Sequence, residues 1–211
     1  MKLIGMLDSP YVRRVAVSLQ LLGLRFEHEP LSVFRTFEQF RRINPVVEAP
    51  TLVCDDGTVL LDSTLILEYA EALVRPRSLL PANPQALARE LRLIGLALAA
   101  CDKSVQIVYE HELRPREKLH APWLERVTGQ LHAAFDALEQ EQSRQAIAVT
   151  GGAITQAGVS TAIAWHFAQQ MVPEAVPASA YPRLAMLSAE AEALPEFRAA
   201  PHGAGICEAR G

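Results

Sequence analysis

Every segment of this chain that patterns as a β-strand lies before residue 62, and from Pro84 onward the apolar residues recur only at helical spacing. That division narrows the fold more than any other feature. A strand needs a partner, so the early strands must pair among themselves in one small sheet. The later helices must bury their apolar faces on one another. The chain is therefore expected to hold two domains of different class.

"KLIGML" (2–7) is a compact apolar run with the character of a buried strand. "DSPYVRRVAVSLQLLGL" (8–24) opens as a turn and then carries Val12, Val15, Ala16, Leu19 and Leu22 on one helical face, with Gly23 as its stop. "RFEHEPL" (25–31) alternates as a second strand, and the short connections favour a parallel βαβ pair. "TFEQFRRI" (36–43) is a short amphipathic helix and "NPVVEAP" (44–50) a loop. "TLVCDDGTVLLDS" (51–63) is a hairpin turning at Asp56-Gly57, and "STLILEYAEAL" (63–73) returns to helical spacing. The predicted order is βαβαββα, an α/β domain over residues 1–76. "VRPRSLLPANP" (74–84), with three prolines, contains a linker at 77–84. Residues 85–211 are predicted all-α. Leu87, Leu91, Ile94, Leu98 and Cys101 share one long helix, and three more cover 123–142, 155–171 and 181–194.

Composition removes several classes of function. The net charge of −4 offers no basic excess for nucleic acid. Residues 1–45 nonetheless carry seven Lys or Arg against four acids, a net +3, which suits a small anionic ligand. The longest apolar run, "LIGLALAA" (93–100), is too short to cross a bilayer, and no signal peptide precedes Asp8. Cys54, Cys101 and Cys207 are widely spaced and suggest neither disulfides nor zinc, so a reducing cytoplasm is expected. The six histidines form no HExxH, and no metal is expected. "GAGICE" (203–208) resembles part of a dinucleotide fingerprint but follows no strand and opens no helix. A thiol-disulfide oxidoreductase would want a cysteine near position 9.

Three short stretches can bear chemistry. Ser9-Pro10 is favoured helix-start chemistry, with Ser9 as N-cap and Pro10 at the first helical position. A hydroxyl at a helix N-terminus can also donate to a bound thiolate. Ser63, after Asp62, is a sensible N-cap for the next helix, whose free N–H groups suit a carboxylate while Asp62 suits an ammonium. Ala49-Pro50 is read either as an ordinary strand start or as a cis proline that leaves the Ala49 backbone free to pair with an extended peptide ligand.

Taken together, "SPYVRRVAVSLQLLGL", "NPVVEAPTLV" and "LLDSTLILEYAEAL" resemble, in order and spacing, the thioredoxin-fold N-terminal domain of the soluble glutathione transferases. The helical remainder is similar to their C-terminal domain, and the Ser-Pro start is similar to bacterial serine-type members. The resemblance implies that Ser9 donates to the sulfur of glutathione, the co-substrate. The backbone of Ala49, before cis-Pro50, pairs with the cysteinyl part, and Asp62 and Ser63 hold the γ-glutamyl end. A small hydrophobic electrophile is expected between the domains, against Asp102, Val105, Gln106 and Tyr109 on the first long C-terminal helix, with Tyr11 beside Ser9. The alternative for that face is ordinary core or dimer surface. Trp165 and His166 read as core packing and a satisfied boundary histidine, and Cys54 as a small buried residue. A homodimer is implied, built on the helices after Ser63 and after Pro84.

Three positions depart from the family pattern. Glu48 stands where lysine or glutamine is common, and its carboxylate repels those of the ligand. "VVE" (46–48) replaces a glycine-containing turn. Gly158 replaces an acid that completes a capping box with Thr155. The implied functions are conjugation of the glutathione thiolate, with peroxidase activity as a variant. The other class is a non-catalytic relative used for binding or regulation.

Overall fold

The computed structural model describes residues 1–149 and 153–207. The chain divides into two compact units. One is Met1–Leu79 together with the segment from Ala193 on, and the other is Leu80–Glu192.

In the first unit, β1 (Lys2–Ile4), α1 (Pro10–Leu21), β2 (Glu27–Glu29), α2 (Phe37–Ile43), β3 (Thr51–Val53), β4 (Val59–Leu60) and α3 (Ser63–Val74) follow the predicted βαβαββα order. The strands lie in the order β2-β1-β3-β4. β1 runs parallel to β2, with Leu3 opposite His28, while the β1–β3 and β3–β4 pairs are antiparallel. The strands are shorter than the apolar runs suggest. β1 stops at Ile4 because Gly5 takes φ +136°, where a Cβ would sit 2.6 Å from Val12 Cγ2 and 3.1 Å from Ala49 Cβ. Glycine there lets the chain turn away while α1 and the loop before β3 close on the sheet end. Gly57, at φ +87°, makes the hairpin turn, aided by Thr58 N–H donating to Asp56 Oδ1 at 2.9 Å.

The predicted face of α1 is buried, with Val12, Val15, Ala16 and Leu19 all at 0% exposure. Each large apolar side chain so buried contributes about 1.5–3 kcal/mol. Arg13, Arg14 and Ser18, off that face, are buried as well. The reason lies at the end of the chain. Helix α8 (Pro195–Arg198) packs on α1. Arg13 Nε donates to Ala200 O at 2.8 Å, with its guanidinium 5.7 Å from the Phe197 ring centroid. Gln20 Nε2 donates to Glu196 O, and Cys207 N–H donates to His28 Nδ1 at 2.9 Å. The expectation of a helical domain over 85–211 put this segment elsewhere. Its contacts are polar and long-range, so no periodicity signals them. Glu208, the last residue of the "GAGICE" run, lies outside the described residues.

The second unit holds α4 (Pro84–Leu113), α5 (Ala121–Arg144), α6 (Gln156–Met171) and α7 (Pro182–Glu192). α6 is buried nearly all round, as a helix central to its unit must be. Phe135, Trp165 and Tyr181 form an aromatic knot with centroids 5.3–5.9 Å apart. His166 Nδ1 faces Glu192 at 3.3 Å, the boundary role expected of it. Gly158 now has a physical reason, since a Cβ there would lie 2.9 Å from Ala148 O. Another helix supplies an acid to this helix start, since buried Glu90 of α4 accepts the Ala157 N–H at 3.2 Å, a first-turn donor other than the Thr155 N–H that a capping box satisfies.

Candidate functional site

Strand direction brings the candidate residues of the first unit to one end of the sheet. β1 and β4 finish there and β3 begins there, since both are antiparallel to β3. Ile4 pairs with Thr51, and Leu60 with Leu52. The turn into α1, Ala49-Pro50 and Asp62-Ser63 are the next residues in each case.

Ser9 is the N-cap of α1, with extended φ and ψ and Pro10 at the first helical position. Its Oγ accepts from Val12 N–H at 3.4 Å, a long bond. That bond uses a lone pair, so the hydroxyl proton remains to be donated, and no acceptor for it is found among the described residues. Capping and donation are therefore compatible. Tyr11, two residues on, is half-buried.

The Ala49–Pro50 peptide bond is cis. Neither the N–H nor the C=O of Ala49 has a hydrogen-bond partner among the described residues. The loop that carries it is held from both ends. Buried Asn44 donates from Nδ2 to Thr51 Oγ1 at 2.8 Å and accepts from Val46 N–H at 3.0 Å, and Thr51 Oγ1 donates to Glu48 O at 2.6 Å. Within this clamp Val47 has φ +54°, costly for a β-branched residue by about 1–2 kcal/mol. Glu48 is exposed.

At α3 the sequence reading needs correction. Asp62, not Ser63, is the N-cap, its Oδ1 accepting from Thr64 N–H at 2.8 Å and Leu65 N–H at 3.2 Å. Ser63 is the first helical residue, 3% exposed, and its Oγ accepts from Arg14 Nη1 at 3.0 Å. Both residues are good caps by type, so local chemistry does not choose between them. The guanidinium from α1 does. Oδ2 of Asp62 has no partner among the described residues. Arg14 is a buried neighbour of this candidate site that sequence reasoning missed, because an arginine in an amphipathic helix is ordinarily assigned to solvent.

In the second unit, Asp102, Val105, Gln106 and Tyr109 occupy successive turns of α4, with Gln106 Nε2 donating to Asp102 Oδ2 at 2.9 Å and Lys103 pairing with the same oxygen at 2.8 Å. A groove of about 380 Å³ takes in Gln106 and Tyr109 and continues along Glu110, Leu113, Arg114 and Trp123. Asp102 and Val105 do not line it. Buried Glu110 accepts from Arg114 Nε at 2.7 Å and from His120 N–H at 3.1 Å. Glu110 and Leu113 follow from α4 running on past Tyr109, while Arg114 is its C-cap and Trp123 comes from α5. Among the described residues no cluster of His, Cys, Asp or Glu could hold a metal ion, and no helix is long and apolar enough to cross a membrane.

Comparison with known proteins agrees with this arrangement. Residues 3–78 match the family model described as the N-terminal domain of glutathione S-transferase. The uncharacterized GST-like protein YibF of Escherichia coli K12 is 29% identical over 139 residues, 66% of this chain and 68% of that protein. A glutathione S-transferase of Methylobacterium radiotolerans, solved with glutathione sulfonate, superposes with a TM-score of 0.85 at 26% identity, covering 93% of this chain and 92% of that one. A glutathione transferase family member of Pseudomonas fluorescens Pf-5, solved with bound glutathione, gives 0.81 at 30% identity, covering 94% and 97%. With nearly the whole length shared at that identity, and the N-terminal domain matched on its own, the chain belongs to the glutathione S-transferase superfamily.

Proposed function

We propose that the protein is a serine-type glutathione transferase in which Ser9 stabilises the glutathione thiolate for attack on a small hydrophobic electrophile. The observation that carries this is the Ser9 hydroxyl, which caps α1 with a lone pair and keeps its proton. A thiol of pKa about 8.5 is about 3% ionised at pH 7. Lowering that pKa by about two units takes about 2.7 kcal/mol. A hydrogen bond to a charged acceptor supplies about 1.5–3 kcal/mol and the helix N-terminus about 0.3–1 kcal/mol. No general base is needed. The Ala49 peptide is proposed to pair with the cysteinyl unit, and Asp62 and Ser63 to take the γ-glutamyl ammonium and carboxylate. In the first unit Tyr11, beside Ser9, is proposed as an electrophile contact; in the second, the α4 face of Asp102, Val105, Gln106 and Tyr109 is proposed to hold a small hydrophobic molecule. Reduction of peroxides by the same thiolate is the variant activity. A cytoplasmic homodimer is proposed, its interface drawing on the exposed Leu65 and Leu73 of α3 and Leu91 of α4.

One observation favours a second reading, a non-catalytic relative that binds or regulates. The exposed carboxylate of Glu48 adjoins the Ala49 peptide and disfavours an anionic ligand. Calorimetric titration of glutathione into wild type and Ser9→Ala, with thiolate absorbance followed against pH, separates the two. The transferase reading expects wild type to bind with its thiolate titrating well below the free thiol, and Ser9→Ala to bind without that shift. No binding at millimolar glutathione would transfer the chain to the second reading.

A further inference from the structure

Arg14 is 3% exposed, yet its guanidinium touches the N-terminus of a different helix from its own. Its Nη1 donates to Ser63 Oγ at 3.0 Å and to Thr64 Oγ1 at 3.3 Å. A serine hydroxyl has one proton and two lone pairs. With a lone pair taken by Arg14, the Ser63 proton must point away from the guanidinium, and no acceptor for it is found among the described residues. A buried positive charge behind the oxygen also makes that O–H a stronger donor. The neighbouring Asp62 keeps Oδ1 on Thr64 and Leu65 N–H and leaves Oδ2 without a partner. One helix start thus presents a backed donor for a carboxylate next to an acceptor for an ammonium.

We infer that Arg14 is a positioning residue for the α-carboxylate of the γ-glutamyl unit, acting through the Ser63 hydroxyl. The inference rests on the glutathione reading above. Arg14 does not touch the ligand. It sets the direction of the Ser63 proton and supplies a fixed positive charge behind it. Arg14 also belongs to α1, whose N-cap is Ser9, so the element that faces the sulfur orients the far end of the same ligand. A planar guanidinium suits this task better than a freely rotating ammonium, because the directions of the N–H groups on Nη1 are fixed by the plane as that one nitrogen holds both hydroxyls.

The test pairs a change in the protein with a change in the ligand. Affinities are measured by competition for glutathione and for its analogue with the γ-glutamyl α-carboxylate converted to carboxamide. Wild type is expected to prefer glutathione by about 10- to 100-fold, the scale of one charge-assisted hydrogen bond. In Arg14→Met the preference falls to about 3-fold or less, and Arg14→Lys keeps an intermediate value. In a Ser63→Ala background Arg14→Lys has little further effect, because the two residues act as one unit. The pH titration of the bound thiolate is unchanged in Arg14→Lys. Should Arg14→Met fail to fold, the Arg14→Lys and Ser63→Ala cycle decides alone. Parallel weakening of both ligands, or additive losses in the cycle, overturns the inference. Failure of wild type to bind glutathione overturns the reading beneath it and the inference with it. Wild-type binding with no preference between the ligands overturns the inference only.

Discussion

Replacing Asn44 with alanine tests how the Ala49 peptide is held in place. Asn44 is 2% exposed and serves both ends of the loop, donating to Thr51 Oγ1 at 2.8 Å and accepting from Val46 N–H at 3.0 Å. The two bonds are not equivalent. Val46 is exposed, so water takes over its N–H and that loss sits near the low end, about 0.5 kcal/mol. Thr51 is fully buried. Its hydroxyl keeps its donation to Glu48 O but loses the donor it accepted from, which costs about 1–1.5 kcal/mol. The expected destabilisation is about 2 kcal/mol, a fall in Tm of about 4–8 °C for a chain of this size. Asn44→Asp is expected to cost at least as much, since it sets a carboxylate oxygen against Thr51 Oγ1, whose one proton is already given to Glu48 O. Calorimetric unfolding measures both variants. Glutathione titration provides the functional half, with weaker binding in Asn44→Ala and an unchanged thiolate pKa in whatever ligand is bound, because Ser9 is untouched. A change in Tm below about 1 °C, or a thiolate shift lost together with affinity, would refute the assignment of Asn44 as a loop clamp separate from the sulfur site.

Other perturbations follow from single contacts. Val47→Gly is expected to stay within about 1 kcal/mol of wild type, since relief of the positive φ offsets the added chain entropy and the lost packing; a denaturant midpoint far below wild type would contradict that. Gly5→Ala is expected to cost about 2–5 kcal/mol, from a φ that disfavours a side chain and a Cβ 2.6 Å from Val12 Cγ2; soluble protein of unchanged Tm would show that the sheet end yields. Burial lowers the pKa of His28 despite its bond to Gly5 O. The unfolded state then binds the proton more readily, so His28's contribution is full above its ordinary pKa near 6.5 and is lost as pH falls below it. Unfolding free energies at pH 7.5 and 5.5 (about one pH unit either side of that value) should differ more in wild type than in His28→Gln, and equal differences would remove His28 as the source. The Tyr181 phenol, desolvated and bonded to Asp136, has its pKa pushed up to about 12, and spectroscopic titration should show a tyrosine ionising well above pH 10 in wild type that is missing from Tyr181→Phe.

Much of this protein was legible in its residues alone. The helix faces of α1 and α3, the hairpin at Asp56-Gly57 and the βαβαββα order all depend on spacing or on local chemistry within a few residues, whereas Ala49-Pro50 read equally as a strand start or a cis proline and the structure makes it cis. Such signals survive in a single sequence because the groups that make them are neighbours in the chain. The strands came out shorter than their apolar runs because Gly5 turns away where α1 and Ala49 approach, a constraint set by two segments that are distant in sequence.

What only tertiary structure decided has one physical form. At several places the sequence offers equally good local options, and a polar partner from far away selects one. Asp62 and Ser63 can each cap α3, and Arg14, 49 residues from Ser63, draws its hydroxyl away and leaves the cap to Asp62. The helix at Gln156 lacks its own acid, and Glu90, 67 residues from Ala157, provides one. The segment ending at Cys207 carries no periodicity that assigns it to either unit, and buried Arg13 reaches across 187 residues to Ala200 O. Spacing along the chain reports where apolar surface must go, because burial is non-directional and repeats with the helix or strand. A buried hydrogen-bonding group needs one partner at one distance and angle, and only the folded chain brings that partner to it.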